Sequence, residues 1–224
     1  MSTVAIDTSL RQSPEATIGQ EIANSITHGV GALLAMAGLV ILIVQAAIHG
    51  GAWYVVSYTV FGISMVLLYL ASTLYHAVTA RKAKRVLEIF DHAAIFVLIA
   101  GSYTAFTLTL LRDNVGWWLF GAVWIIAIVG IIMEAVFLNR WPVLTVLTYL
   151  AMGWLIVIAW KPLNAVASPA MISLLVAGGL SYTVGTVFYA LVKRNGWFHA
   201  GWHLFVIAGT TCHFFAALAA LPPS

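Results

Sequence analysis

The sequence predicts an all-α integral membrane protein that folds as a seven-transmembrane helix bundle. Hydrophobic residues make up 62% of the 224 residues and charged residues only 8%, whereas about 25% of the residues in a soluble domain are usually charged. Seven apolar stretches, separated by turn-forming segments, approach the roughly 20 residues that a helix needs to cross a bilayer. The composition therefore excludes an ordinary soluble domain, and the length leaves room for one domain.

The predicted organisation is a short cytoplasmic tail over residues 1–21 and a transmembrane domain over residues 22–221. The tail is polar and lacks the positive start and short apolar core of a secretory signal. The predicted spans are Ile22–Ile48, Ala52–Ala77, Ile89–Leu111, Trp117–Phe137, Val143–Trp160, Pro169–Leu191 and Phe198–Leu221. The connections contain sequences at which a helix can stop and reverse, including His49-Gly50-Gly51, Asp113-Asn114 and Lys161-Pro162-Leu163-Asn164.

The basic residues of the connections predict the orientation of the bundle. Eight of the 10 Lys and Arg residues lie in the tail and in the second, fourth and sixth connections. Positive residues are retained on the cytoplasmic side of a membrane. We therefore expect the amino terminus inside and the carboxyl terminus outside. The net charge of +3 comes from these short segments, which disfavours a nucleic-acid partner.

Ionisable side chains near the predicted cytoplasmic ends of three spans indicate a metal site. His76 ends the second span, Asp91 begins the third, and His199 and His203 begin the seventh. Ionisable groups are costly in hydrocarbon and usually face the bundle interior with a partner. A spacing of four residues puts His199 and His203 on one helix face, as it does Ser72 and His76. Three imidazoles beside a carboxylate suit Zn²⁺ with one open coordination position, although imidazole also binds copper, nickel and iron.

Each of these side chains also has a purely structural explanation. A histidine near a membrane interface often contacts only lipid headgroups. Asp91 can stabilise the start of its helix through the helix dipole, and Ser72 can donate a hydrogen bond to a carbonyl of its own helix. Convergence of three helices at one depth favours the metal site, with His76, His199 and His203 as the predicted ligands.

Four further groups of polar residues lie within or at the start of the predicted spans. Glu21, Asn24 and His28 share one face at the start of the first span, and we expect them either to orient the metal ligands or to cap the helix. His92 points about 100° away from Asp91 on the same helix. His213 lies about 15 Å deeper than His203 and is expected to make a buried polar contact. Two interpretations of Glu134 are compatible with the sequence: it pairs with a basic loop residue, or it faces the cavity.

Five segments taken together resemble the hemolysin III family, within the superfamily that includes adiponectin and progestin receptors. They are Glu21-x-x-Asn24-x-x-x-His28-Gly29, Ala71-Ser72-Thr73-Leu74-Tyr75-His76, Phe90-Asp91-His92, Ala100-Gly101-Ser102-Tyr103-Thr104 and His199-Ala200-Gly201-Trp202-His203-Leu204-Phe205. The resemblance implies seven helices with a cytoplasmic amino terminus and zinc held by His76, His199 and His203. It further implies that Asp91 engages the water that zinc binds, and that the protein lies in a bacterial inner (plasma) membrane.

Three functional hypotheses follow. The resemblance extends to alkaline ceramidases and implies a zinc-dependent hydrolase of a lipid amide or ester, active in membrane lipid homeostasis. In it, Asp91 would act as general base and Ser72 would donate a hydrogen bond to the oxyanion. The second hypothesis is a non-enzymatic membrane sensor or homeostasis factor in which zinc joins helices. The third is a transporter or pore-forming hemolysin, which the scarcity of ionisable groups in the outer half disfavours. A membrane lipid is the expected partner, whereas the short outer loops offer little to a protein hormone.

Overall fold

The computed structural model describes residues 16–222 and contains seven long apolar helices. They are α1 Ile18–His49, α2 Ala52–Ala77, α3 Arg81–Thr107, α4 Trp117–Phe137, α5 Pro142–Val166, α6 Pro169–Leu191 and α7 Trp197–Ala219. No strand occurs in this part of the chain. The seven-helix bundle is confirmed, and each helix is long and apolar enough to cross a membrane. The first 15 residues of the predicted tail lie outside the described residues.

Helix α1 begins at Ile18, four residues before the predicted start of the first span at Ile22. Thr17 caps it: its Oγ1 accepts a hydrogen bond from the backbone N–H of Gln20 at 3.3 Å. The Gln20 side chain accepts one in return from the backbone N–H of Thr17 at 2.9 Å. This reciprocal capping box satisfies two backbone donors that would otherwise lack partners, so the helix begins before the apolar stretch does.

Helix α3 begins at Arg81, eight residues before the predicted start of the third span at Ile89. The basic residues that were predicted to form a connection are therefore helical. Lys and Arg are good helix formers, and a hydrophobicity pattern marks only the part of a helix that lies in the bilayer. Asp91 consequently lies about three turns inside α3 and not at its amino terminus, so stabilisation of the helix start does not explain it.

Helix α5 differs most from its predicted form. It extends from Pro142 to Val166, and a 3₁₀ segment interrupts it at Trp154–Ala159. The predicted break at Lys161-Pro162-Leu163-Asn164 is wrong, because these residues are helical. Pro162 is tolerated there since it lies in the first turn after the interruption, where its missing N–H breaks no helical hydrogen bond.

Most of the helices pack closely against one another, whereas α5 makes fewer contacts. Helices α1, α2 and α3 pack side by side, α6 pairs with α7, and α7 closes against α1. Gly101 of α3 permits the close approach of α2, because a Cβ there would lie 2.6 Å from the Ser64 Cβ. Helix α5 is the least buried of the seven. This arrangement brings the C-terminal end of α2 and the N-terminal end of α7 together beside the start of α1.

Candidate metal centre

Three histidines from two helices form a compact cluster. His76 comes from the end of α2, and His199 and His203 come from the start of α7. One candidate ligand atom from each lies within 4.8 Å of the others, and the ring centroids are 4.7–5.1 Å apart. The Nε2 atoms of His76 and His199 are buried and have no hydrogen-bond partner within residues 16–222. The three side chains can therefore hold one metal ion, and their donor set suits zinc.

Glu21 fixes the orientation of the His76 ring. Its Oε2 lies 2.5 Å from the Nδ1 of His76, and since a carboxylate can only accept, Nδ1 carries the proton. The Nε2 lone pair is then left for a metal. The other Glu21 oxygen accepts a hydrogen bond from the Lys84 Nζ at 2.7 Å. Because Thr17 and Gln20 cap α1, capping does not account for the Glu21 carboxylate.

The protonation of His203 is set in the same way by α1. Its Nδ1 lies 3.2 Å from the Asn24 carbonyl and 3.2 Å from the Thr27 Oγ1. The Thr27 hydroxyl donates to the carbonyls of Ala23 and Asn24, both at 2.9 Å, so its oxygen accepts from His203. Nδ1 therefore carries the proton and leaves Nε2 unprotonated, as metal-ligating histidines require.

His28 completes the contacts that α1 makes with the cluster. Its ring stacks on that of His203, with centroids 3.5 Å apart and planes 12° apart. Both nitrogens of His28 are buried and have no hydrogen-bond partner in the described residues, and neither does the Asn24 Oδ1. Glu21, Asn24 and His28 thus all contact ligand histidines, in the arrangement expected for residues that orient ligands.

Ser72 and Asp91 line a cavity of about 130 Å³ together with His199 and His203. Ser72 is only 1% exposed, and its hydroxyl makes no hydrogen bond to the rest of the described chain. Thr73 on the same helix behaves differently, because its hydroxyl donates to the Tyr69 carbonyl at 2.6 Å. Back-bonding within α2 therefore does not explain Ser72, whose hydroxyl lies close to Asp91 at the cavity.

His92 and Glu134, which the sequence leaves without a definite role, pair with each other. The Nδ1 of His92 lies 3.2 Å from the Glu134 Oε2, and the Thr145 hydroxyl donates to the other Glu134 oxygen at 2.7 Å. The Tyr149 hydroxyl donates to the His92 carbonyl at 2.9 Å. Both His92 and Glu134 line the cavity. Their contacts join α3, α4 and α5 along the cavity wall.

Two residues of the centre, Lys84 and Thr27, are absent from the sequence-based prediction. Lys84 is one of several basic residues near a membrane surface, and its contact with Glu21 depends on how α1 and α3 both pack against α2. Thr27 lies on the same face of α1 as Asn24 and could have been found from its spacing of three residues. A polar side chain that extends the polar face of a helix, as Thr27 does on α1, therefore indicates a further residue of the site.

Comparison with known proteins agrees with these features. Residues 16–214 match the family described as Haemolysin-III related. The chain is 51% identical to the Hemolysin-3 homolog of Bacillus subtilis (strain 168) over 202 residues, which cover 90% of this chain and 94% of that protein. It is 47% identical to the Hemolysin-3 of Bacillus cereus over 201 residues, which are 90% of this chain and 91% of the other. The human Monocyte to macrophage differentiation factor is 25% identical over 209 residues, 89% of this chain and 84% of that protein. This multi-pass membrane protein therefore belongs to the haemolysin-III related family.

Proposed function

We propose that this protein is a zinc-dependent hydrolase of a lipid amide or ester that acts in membrane lipid homeostasis. One observation carries the proposal: three clustered imidazoles, of which His76 and His199 have Nε2 atoms without a partner in the described residues, lie beside a cavity that a carboxylate and a serine hydroxyl also line. Structural metal sites are usually closed by four protein ligands, whereas catalytic sites keep a position open. Three histidines with adjacent cavity space fit the second pattern.

The ligands and their supports have separate tasks in this proposal. His76, His199 and His203 would hold Zn²⁺. Glu21 would keep the Nδ1 of His76 protonated, and the Asn24 carbonyl and Thr27 hydroxyl would do the same for His203. A zinc ion bound there lowers the pKa of water and polarises a substrate carbonyl. These are the properties that hydrolysis of an unreactive amide needs.

Asp91 and Ser72 would carry the proton and charge changes of the reaction. Asp91 accepts a proton from the attacking water, whose oxygen forms a bond to the carbonyl carbon. The Ser72 hydroxyl donates a hydrogen bond to the carbonyl oxygen as it becomes negative. When the bond from carbon to nitrogen or oxygen breaks, the proton held by Asp91 passes to the leaving group, which departs as a neutral amine or alcohol.

A lipid is the substrate class that the cavity supports best. Most of the surface that lines it is apolar, and it lies inside a bundle whose outer surface is apolar. The looser packing of α5 leaves the cavity wall least closed on that side, which favours entry from the bilayer. Similarity to two Bacillus proteins supports a location in a bacterial plasma membrane.

Metal content and lipid turnover of matched variants test this proposal. Elemental analysis of the purified protein should give about one zinc per chain, and the His199→Ala/His203→Ala variant should lose it. Against a panel of long-chain amides and esters, we expect Asp91→Asn to reduce turnover by about 10²–10⁴-fold with zinc retained. Asp113→Asn is the matched control, because that carboxylate is 92% exposed. Unchanged turnover in Asp91→Asn would refute the mechanism.

A non-enzymatic sensor with structural zinc is the alternative, and one observation favours it. The histidine cluster joins α2 to α7, and its outer contacts include α1, so a metal there would hold three helices together. If chelation lowers the unfolding temperature while no lipid amide or ester is turned over by the zinc-loaded protein, this alternative replaces the hydrolase.

A further inference from the structure

His213 is an ionisable residue inside the bundle that the candidate metal centre does not use. It lies on α7, ten residues after His203 and therefore about 15 Å along the helix. It lines the cavity of the metal centre and also a second cavity of about 70 Å³. An ionisable residue within a membrane bundle is costly and usually has a functional partner, so its surroundings identify what it can bind.

The contacts of His213 determine which of its nitrogens can accept a hydrogen bond. Nε2 lies 3.3 Å from the Leu175 carbonyl, and because a carbonyl can only accept, Nε2 carries the proton. In the neutral ring, Nδ1 is then an acceptor. Nδ1 is buried and has no hydrogen-bond partner in residues 16–222. A buried acceptor without a partner is unfavourable in an apolar environment, so Nδ1 favours a ligand that can donate.

Packing holds the His213 ring in this position. The Tyr182 ring meets it edge to face, with centroids 5.4 Å apart. Gly178 of α6 provides the space that the ring fills, since a Cβ at that residue would lie 2.6 Å from the His213 Nε2. The ring therefore cannot turn freely to give Nδ1 a partner elsewhere.

The other polar side chains where the two cavities meet already have partners. The Ser102 hydroxyl donates to the Ile99 carbonyl at 2.8 Å, and Trp154 Nε1 donates to the Thr183 hydroxyl at 3.0 Å. The Tyr103 hydroxyl donates to the Gly153 carbonyl and accepts from the Ile156 N–H. Among the polar side chains that line both cavities, His213 Nδ1 is thus the nitrogen that can accept and has no hydrogen bond in the described residues.

We propose that His213 is a binding subsite for a hydroxyl group in the middle of the chain of an amphipathic ligand. The ligand class is a hydroxylated long-chain lipid, whose apolar chain suits the walls of both cavities. The ligand hydroxyl donates a hydrogen bond to Nδ1, whereas a keto oxygen at the same place can only accept and makes no such bond. The mid-chain position of the hydroxyl rests on the proposed function, which places the ligand's polar head at the metal centre, about 15 Å from His213.

A binding comparison with three matched fatty acids tests the subsite without requiring hydrolysis. The full chain, purified in detergent, is loaded with radiolabelled octadecanoic acid. Three competitors are compared: unlabelled octadecanoic acid, its derivative with a mid-chain hydroxyl, and its derivative with a mid-chain keto group. We expect the hydroxylated chain to compete about 2- to 10-fold better than the parent, the range that one net hydrogen bond supplies. The keto derivative should show no such gain.

Variants then assign the preference to His213. His213→Phe should bind octadecanoic acid as before but lose the preference for the hydroxyl, with metal content unchanged. Tyr182→Phe is the matched control, because its hydroxyl also lines the cavity but is already bonded to Thr210 at 2.8 Å, and it should keep the preference. In the His199→Ala/His203→Ala variant, a retained preference would support the subsite even if the metal centre proves to have another role.

Three results would overturn the proposal. One is equal competition by all three chains with the wild-type protein, a result that needs no variant to fold. Another is a hydroxyl preference that persists in His213→Phe. A derivative hydroxylated next to its carboxyl group extends the wild-type comparison. If it competes as well as the mid-chain derivative, the hydroxyl is recognised elsewhere and the subsite is wrongly placed.

Discussion

At the scale of single residues, His76 shows how a series of charged contacts can orient a candidate metal ligand. Lys84 contacts Glu21, and Glu21 contacts the Nδ1 of His76. The Lys84 ammonium group also donates to the Tyr75 carbonyl at 3.2 Å, which ties it to the end of α2. The carboxylate is thus held between a cation and an imidazole N–H, and its orientation determines the direction of Nε2.

Substitution of Glu21 should weaken metal binding without removing a ligand. We expect Glu21→Gln to lower zinc affinity about 10- to 100-fold, the usual loss when a hydrogen-bond partner of a ligating histidine is changed. Gln keeps the size of the side chain but removes its charge. Competition with a chromophoric zinc chelator at fixed pH measures the affinity. An unchanged affinity would mean that Glu21 serves the packing of α1 and not the metal centre.

Lys84 should act through Glu21, and this coupling can be measured. We expect Lys84→Met to weaken zinc binding by less than Glu21→Gln does, because the Glu21–His76 contact survives. Lys84→Met should add little in a Glu21→Gln background, since residues in one network are not additive. Lys82→Met is the matched control: it removes the same charge two residues away from an exposed position. An equal effect of both Lys variants would indicate general electrostatics.

The residues of the centre differ in how far sequence could predict them. His76, His199 and His203 stand out because ionisable residues are rare in such spans, and the structure brings these three together. Lys84 could not be predicted, because its partner lies 63 positions earlier and the contact depends on how α1 and α3 both pack against α2. Local spacing identifies faces of one helix, whereas contacts between helices need the fold.

At the scale of helices, close approach of α2 and α3 depends on a residue without a side chain. A Cβ on Gly101 would overlap the side chain of Ser64 and lie 3.4 Å from the Val60 carbonyl. Small residues let membrane helices pack closely and gain dispersion contacts. Since α2 carries His76 and Ser72 while α3 carries Asp91, this contact also sets the relative positions of the proposed site residues.

Gly101→Ala should therefore destabilise the bundle, although alanine is the better helix former. Overpacking of this kind typically costs about 1–3 kcal/mol, and we expect a lower unfolding temperature in detergent. Gly121→Ala in α4 is the matched control, because a Cβ there meets no atom within 4 Å. It should leave stability unchanged or raise it by up to about 1 kcal/mol. Equal behaviour of the two variants would mean that α2 and α3 can separate slightly at little cost.

Helix ends mark the limit of prediction at this scale. The bounds of α2, α4 and α6 agree with the apolar stretches, because glycine, proline or a polar turn flanks each of them. Helix α3 extends beyond its apolar part through basic residues that are themselves good helix formers. The interruption of α5 at Trp154–Ala159 lies in an apolar run that hydrophobicity does not mark as a break. Pro162 cannot bond to the Ile158 carbonyl four residues earlier, and the Tyr103 hydroxyl bonds to the Gly153 carbonyl and the Ile156 N–H.

For the molecule as a whole, the distribution of charge predicts which end of the bundle faces the cytoplasm. The basic residues near the start of α3 lie at the end that holds the histidine cluster, while Asp113 lies at the other end. If positive residues stay inside, the candidate metal centre lies on the cytoplasmic side. Metal ions and water would then reach it from the cytosol, and a polar hydrolysis product would leave to the same side.

Cysteine labelling in whole cells tests this orientation. Cys212 is the single cysteine of the chain, so a Cys212→Ser background allows one new thiol at a time, either Lys82→Cys or Asp113→Cys at exposed positions. A membrane-impermeant maleimide should label Asp113→Cys in intact cells and Lys82→Cys only after permeabilisation. The reverse pattern would place the histidine cluster on the outer side, where metal supply and product release would face the exterior. Because the proposed lipid chemistry is the same in either orientation, this experiment separates the direction of insertion from the identity of the reaction.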